Sequence, residues 1–248
     1  MENAERNAEL EQRNLLRTSA GDVESAGDLP LEPPGFEEVP PMQIDYTLRW
    51  TGWPSLNQLV AVAVAAAVYT VLSFVSVQLP SGIPLVSSIF VAIGFGIPFA
   101  IWFGGWTFVI AYIGNCVGAG LLGTPPLPLP VALVFGTVDF IQLGLPMLLY
   151  RLFARRFGVN PLGKDVFTVK GFIFFILCAV LPNNIIGGFY GNLILVTIGP
   201  EPKYEFFPGW FTWSLTNIVI TLIIGSILLK TLGPIVERFG LTIRSLLN

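Results

Sequence analysis

LVAVAVAAAVYTVLSFVSVQL, residues 59–79, is a run of 21 residues without a charged side chain. At about 1.5 Å of rise per helical residue it is long enough to cross a bilayer core of about 30 Å. Everything C-terminal to it keeps the same character. The chain of 248 residues is 53% hydrophobic and 12% charged, against about 25% charged in ordinary soluble domains. Of its 16 acidic residues, all but Asp139, Asp165, Glu201, Glu205 and Glu237 lie before Gln58. The net charge of −3 therefore describes an N-terminal tail, and no nucleic-acid partner is expected from it.

Residues 1–48 combine those acids with Pro30, Pro33, Pro34, Pro40 and Pro41. Such a segment buries too little apolar surface to offset its ordering entropy, so it reads as a disordered acidic cytoplasmic tail. Its first residues, MENAERNAELEQRNLLR, are polar, and insertion is expected to be directed by the first span itself. Beyond the tail, residues 57–240 read as an all-α, six-helix transmembrane bundle. Its spans fall at about 57–79, 85–102, 104–123, 129–150, 170–198 and 209–232. The second and third are separated only by glycines and a proline, Gly94, Gly96, Pro98, Gly104 and Gly105, as suits a tight turn between close helices. With the N-terminus inside, every basic residue except Lys203 is cytoplasmic, so both termini are expected on that face of a multi-pass protein of the cell membrane.

Inside the spans polar residues are few. Asp139 is the one carboxylate, and Gln142 shares its helical face at a spacing of three. Asn115, Asn183, Asn184, Asn192 and Asn217 fall in the outer half, with Tyr190, Trp210 and Trp213. Two readings stay open: glue between helices with an interfacial aromatic belt, or a pocket for a small, partly planar solute. The candidate substrate-binding residues are Asn115, Asp139, Gln142, Asn184, Tyr190, Asn192, Trp213 and Asn217. On the first span, Ala63 and Ala67 give a small-residue face in the cytoplasmic half, suited to close helix approach and so to partner docking. There is no His, and Cys116 and Cys178 sit in apolar segments. No metal site or cofactor is expected, and paired acid–base chemistry is poorly supplied, which argues against an enzyme.

These stretches together resemble the substrate-binding S components of energy-coupling factor (ECF) transporters. AVAAAVYTVLSF (63–74) is similar to that family's first helix, and GIPLVSSIFVAIGFGIPFAIWFGGWTFVIAYIGNCVGAGLLG (82–123) to its second and third, with Gly114 and Asn115 near the outer end. LPVALVFGTVDFIQLGLPMLLYRLF (129–153) resembles the fourth, although Asp139 stands where a neutral amide is expected. GWFTWSLTNIVITLIIGSILLKTLGPIVERFG (209–240) matches the last in style, with Trp213 and Asn217. The resemblance implies capture of a small solute such as a vitamin from outside, with Ala63 and Ala67 meeting a transmembrane coupling protein and two ATPase subunits acting with it. The chain has no GxxxxGK[ST] phosphate loop, so ATP hydrolysis would fall to those partners. The alternative is a multi-span membrane sensor or scaffold domain without transport activity.

Overall fold

The computed structural model describes residues 46–78 and 89–247. The tail expected over residues 1–48 lies outside the described residues apart from its last three positions, as does the expected start of the second span. Among the described residues the structure is all helical, without strands. Five helical stretches are long and apolar enough to cross a membrane: Leu56–Val77, Val91–Leu121, Leu129–Phe153, Val169–Thr197 and Lys203–Arg238. The protein is therefore a multi-pass membrane protein by the length and composition of its helices.

The first, α1 (Leu56–Val77), starts at a capping box: the Ser55 hydroxyl accepts from the Gln58 N–H while the Gln58 side chain accepts from the Ser55 N–H. Its 22 residues reach about 33 Å. One face, with Val62, Ala65, Ala66, Tyr69 and Ser73, is buried, and the other, with Val60, Ala63, Val64, Ala67 and Val71, is exposed.

The stretch Val91–Leu121 is not one rod. It contains α2 (Val91–Phe103), a 3₁₀ turn at Gly104–Trp106, α3 (Thr107–Ile113) and a wide π-type segment, Gly114–Leu121. Gly104 takes φ +59°, a left-handed conformation that a side chain disfavours. A Cβ on Gly96 would lie 2.6 Å from the Tyr69 ring, and one on Gly114 would overlap the same ring. In a straight helix those glycines would be about 27 Å apart. The chain therefore doubles back at Gly104, and the two arms grip Tyr69 between them. Six spans were expected and five helical stretches of membrane length are found among the described residues, because the expected second and third fall within Val91–Leu121; α2, with 13 residues, is shorter than the roughly 20 of a full span.

The remaining helices are likewise interrupted. α4 (Leu129–Phe135) and α5 (Val138–Phe153) are divided at Gly136 and Thr137. α6 (Val169–Phe175) and α7 (Leu181–Thr197) flank a π-type segment, Ile176–Val180, where Pro182 withholds a main-chain donor. α8 (Phe206–Ile220) passes through another, Thr221–Gly225, into α9 (Ser226–Thr231), and α10 (Gly233–Arg238) follows. The core between them holds Trp102, Tyr69, Tyr150, Phe175, Leu143 and Met147, all fully buried.

At the end of the bundle where α1 begins and α2 finishes, the segment after α10 returns across the helices. Ile243 N–H donates to Trp102 O (2.8 Å), Gly105 N–H to Leu246 O (2.6 Å), and Gln58 Nε2 to Thr242 O (2.8 Å). Arg151, at the close of α5, secures it. Its Nη1 donates to Thr47 O, Arg244 O and Ser245 O (2.9, 3.0 and 2.7 Å), its Nη2 to Ile243 O (2.6 Å), and Tyr46 lies 5.8 Å beneath the guanidinium. Lys164 pairs with Glu237 at 2.5 Å across 73 positions of sequence, joining the α5–α6 connection to α10.

Candidate functional site

At the opposite end, where α1 finishes and α2 begins, the helices leave a narrow cavity of about 30 Å³. Val77 and Phe90 border it from those two helices, Asn115 and Ala119 from the π-type segment, and Thr124 and Leu127 from the connection to α4. Phe135, Leu195, Trp213 and Asn217 come from α4, α7 and α8. No charged side chain lines it among the described residues. Phe135 and Trp213 meet edge to face, with ring centres 6.0 Å apart. The lining has the make-up of a small-molecule site: mostly apolar, aromatic on one wall, with two amides.

Behind this lining runs a chain of buried polar groups. Tyr69 on α1 donates its hydroxyl to Asp139 Oδ2 on α5 at 2.7 Å. Gln142, one turn on, has its nitrogen 2.7 Å from Asp139 Oδ1, and its oxygen faces Trp213 Nε1 at 3.0 Å and Asn217 Nδ2 at 3.3 Å. This amide orientation follows from the neighbours. An indole N–H only donates, so Gln142 must offer it oxygen, and a carboxylate needs the nitrogen. Asp139 and Gln142 are fully buried, where an unpaired carboxylate would be costly. The two bonds from Tyr69 and Gln142 answer that demand. Gly187 makes the room: a Cβ there would overlap the Gln142 side chain.

The candidate residues therefore divide. Asn115, Trp213 and Asn217 line the cavity; Asp139 and Gln142 lie behind it and hold Trp213 and Asn217. Asn115 Nδ2 donates to Phe135 O at 2.9 Å. Asn184, Asn192 and Tyr190 are not among the lining residues. Asn184 Nδ2 donates to Val180 O (2.8 Å) and Thr221 Oγ1 (3.3 Å), Asn192 Nδ2 to Gly188 O (2.8 Å), and the Tyr190 hydroxyl is 3.0 Å from Thr137 Oγ1. The first two bind carbonyls four residues back on their own helical stretch, and Asn184 alone also reaches another helix, at Thr221. Trp210 Nε1 donates to Ile185 O at 2.9 Å and belongs to the α7–α8 contact. Ala63 and Ala67 lie on the exposed face of α1.

Tyr69 is the member of the constellation that sequence reasoning missed. It sits 70 positions from Asp139, and as one of four hydroxyls in its stretch, with Thr70, Ser73 and Ser76, it carries no local signal of its own. Among the described residues no group of three or more His, Cys, Asp or Glu is placed to hold a metal ion. No protein-family model, no curated protein and no solved structure matches the chain.

Proposed function

We propose that the protein is a membrane-embedded capture subunit for a small solute, working as the S component of an ECF-type uptake transporter. The carrying observation is the cavity at one end of the bundle, whose uncharged lining is oriented from behind by the Tyr69–Asp139–Gln142 chain. In this reading the α2–α3 hairpin counts as two spans. That makes six in all, with the Arg151 end cytoplasmic and the cavity facing out. Two features support the sidedness. Thr47, Arg151 and Arg244 meet at the same end, and Lys203, the basic residue assigned outside, follows α7 at the cavity end.

The solute would enter from outside and be oriented by Asn115 and Asn217 against the Trp213 ring. The exposed face of α1, with Ala63 and Ala67, would receive the coupling protein, and ATPase subunits bound to that protein would supply the energy. The chain would contribute binding and no covalent chemistry.

Mild-detergent purification followed by native mass spectrometry tests the proposal. A retained solute, lost in Asn217→Ala, is expected, together with a copurifying membrane protein and ATPases that Ala63→Trp/Ala67→Trp dissociates without unfolding the bundle. A protein that retains nothing, shows no ligand-induced thermal shift and pulls down a signalling partner instead would replace capture by the sensor reading.

A further inference from the structure

We infer that the cavity takes an uncharged, planar solute that presents an N–H donor to Asn217 Oδ1. This rests on the capture reading and adds the chemistry of what is captured. The indole nitrogen of Trp213 donates and never accepts. Gln142 must therefore turn its oxygen toward Trp213 Nε1 (3.0 Å), and its nitrogen then meets Asp139 Oδ1 (2.7 Å). That same Gln142 oxygen is 3.3 Å from the Asn217 amide and accepts from its nitrogen. Asn217 is left with its oxygen as the uncommitted atom. Oδ1 is buried and has no hydrogen-bond partner among the described residues, on a side chain that is 1% exposed and lines the cavity. Polarity is thus set at both ends of the relay, by a donor that cannot accept and a carboxylate that in its ionised form cannot donate.

Asn115 Nδ2 likewise donates one N–H to the Phe135 carbonyl at 2.9 Å; each amide nitrogen keeps a second N–H, and Asn217 Oδ1 is the acceptor left buried without a partner. A buried acceptor without a partner is answered by a ligand donor, and a ligand carbonyl placed there would face oxygen against oxygen. Charge is disfavoured on separate grounds: among the described residues no lining side chain carries one, and an ion without a counter-charge would bear most of its desolvation cost. Planarity follows from the wall, since a flat ring can stack on one of the two aromatic rings and meet the other edge to face, Trp213 and Phe135 being inclined at 64° with centres 6.0 Å apart.

The test compares matched probes on the full-length protein in detergent, read by ligand-induced thermal shift and equilibrium binding. Uracil carries ring N–H donors without charge, 1,3-dimethyluracil keeps the ring and loses the donors, and uracil-6-carboxylate adds a negative charge. A second set uses 2-pyridone, N-methyl-2-pyridone and 2-pyridone-6-carboxylate. Within each set the neutral donor is expected to bind at least about tenfold more tightly than its N-methyl or anionic counterpart. Asn217→Ala is expected to bring the donor and N-methyl members to within about twofold of each other. Equal or tighter binding of a donor-free or anionic member, or binding by none of the six, overturns the inference. So does an unchanged preference in a folded Asn217→Ala protein. The solute released from purified protein separates this from the broader reading: an ionic or donor-free solute ends the inference and leaves capture standing, whereas absence of both solute and coupling partner ends capture itself.

Discussion

The two ends of the bundle satisfy buried polar groups in opposite ways. At one end Arg151 spends four hydrogen bonds on main-chain carbonyls, and its partners Thr47, Ile243, Arg244 and Ser245 come from segments outside the membrane-length helices. At the other, side chains bond side chains in a line from Tyr69 through Asp139 and Gln142 to Trp213 and Asn217. The first arrangement ties chain segments together whatever their side chains are. The second depends on each residue's donor and acceptor pattern and ends on an oxygen without a partner. One end is built to hold segments, and the other to present a group of chosen polarity.

The largest effect expected from breaking this contrast is at Arg151. Arg151→Ala removes the charged donor from four carbonyls and should lower stability by about 3 kcal/mol, with residues 239–247 becoming open to proteolysis. Arg151→Lys should recover part of this, since an ammonium has three donors but no planar fork. Protection of the segment in Arg151→Ala would show that the guanidinium does not hold it.

Next comes Gly114, where a methyl group would overlap the Tyr69 ring. Gly114→Ala should cost about 2 kcal/mol through overpacking, and a second substitution, Tyr69→Leu, should relieve most of that increment in a double-mutant cycle. Additive losses would break the claim that the hairpin grips that ring.

The two tyrosines give a direct comparison of the ends. Tyr69→Phe removes a 2.7 Å bond to a buried carboxylate and should cost about 1.5 kcal/mol, whereas Tyr46→Phe removes a 3.3 Å bond to Thr242 and should cost about 0.5 kcal/mol. Chemical or thermal unfolding of both variants in the same detergent ranks them, and the reverse order would refute the contrast.

The smallest effect is at Glu201, in the connection between α7 and α8. Burial, and then the neighbouring Glu205, raise its pKa above the ordinary 4.5. The folded state therefore holds the extra proton in the window just above 4.5, so stability falls as pH rises through that window and the deficit persists at neutral pH. Glu201→Gln should raise the thermal midpoint at pH 7 by about 2 °C and flatten the profile across the window. A midpoint that drops instead would mean the ionised carboxylate is stabilising.

Membrane character was legible in the sequence because it rests on composition, and the doubling back at Gly104 because glycines punctuate an otherwise uniform apolar run. Counting depth along the spans brought Asn115, Trp213 and Asn217 to one level, and spacing put Gln142 beside Asp139. Tertiary choices were not legible. Nothing local tells Asn217, whose neighbour is a cavity, from Asn192, which bonds Gly188 O on its own helix. The pairing of Tyr69 with Asp139 depends on Gly96 and Gly114 clearing space for a ring on another helix. Arg151 was read as one of several basic residues marking a membrane side, because the carbonyls it binds lie mostly more than 90 positions further on.

That separation has a consequence in time. During synthesis Arg151 emerges 92 residues before Ile243, so through the making of α6 to α10 its guanidinium has none of its three C-terminal carbonyl partners. It must be hydrated or pair with lipid phosphates until residues 243–245 arrive. The Arg151 end therefore closes last, after the helices that frame the cavity have been made.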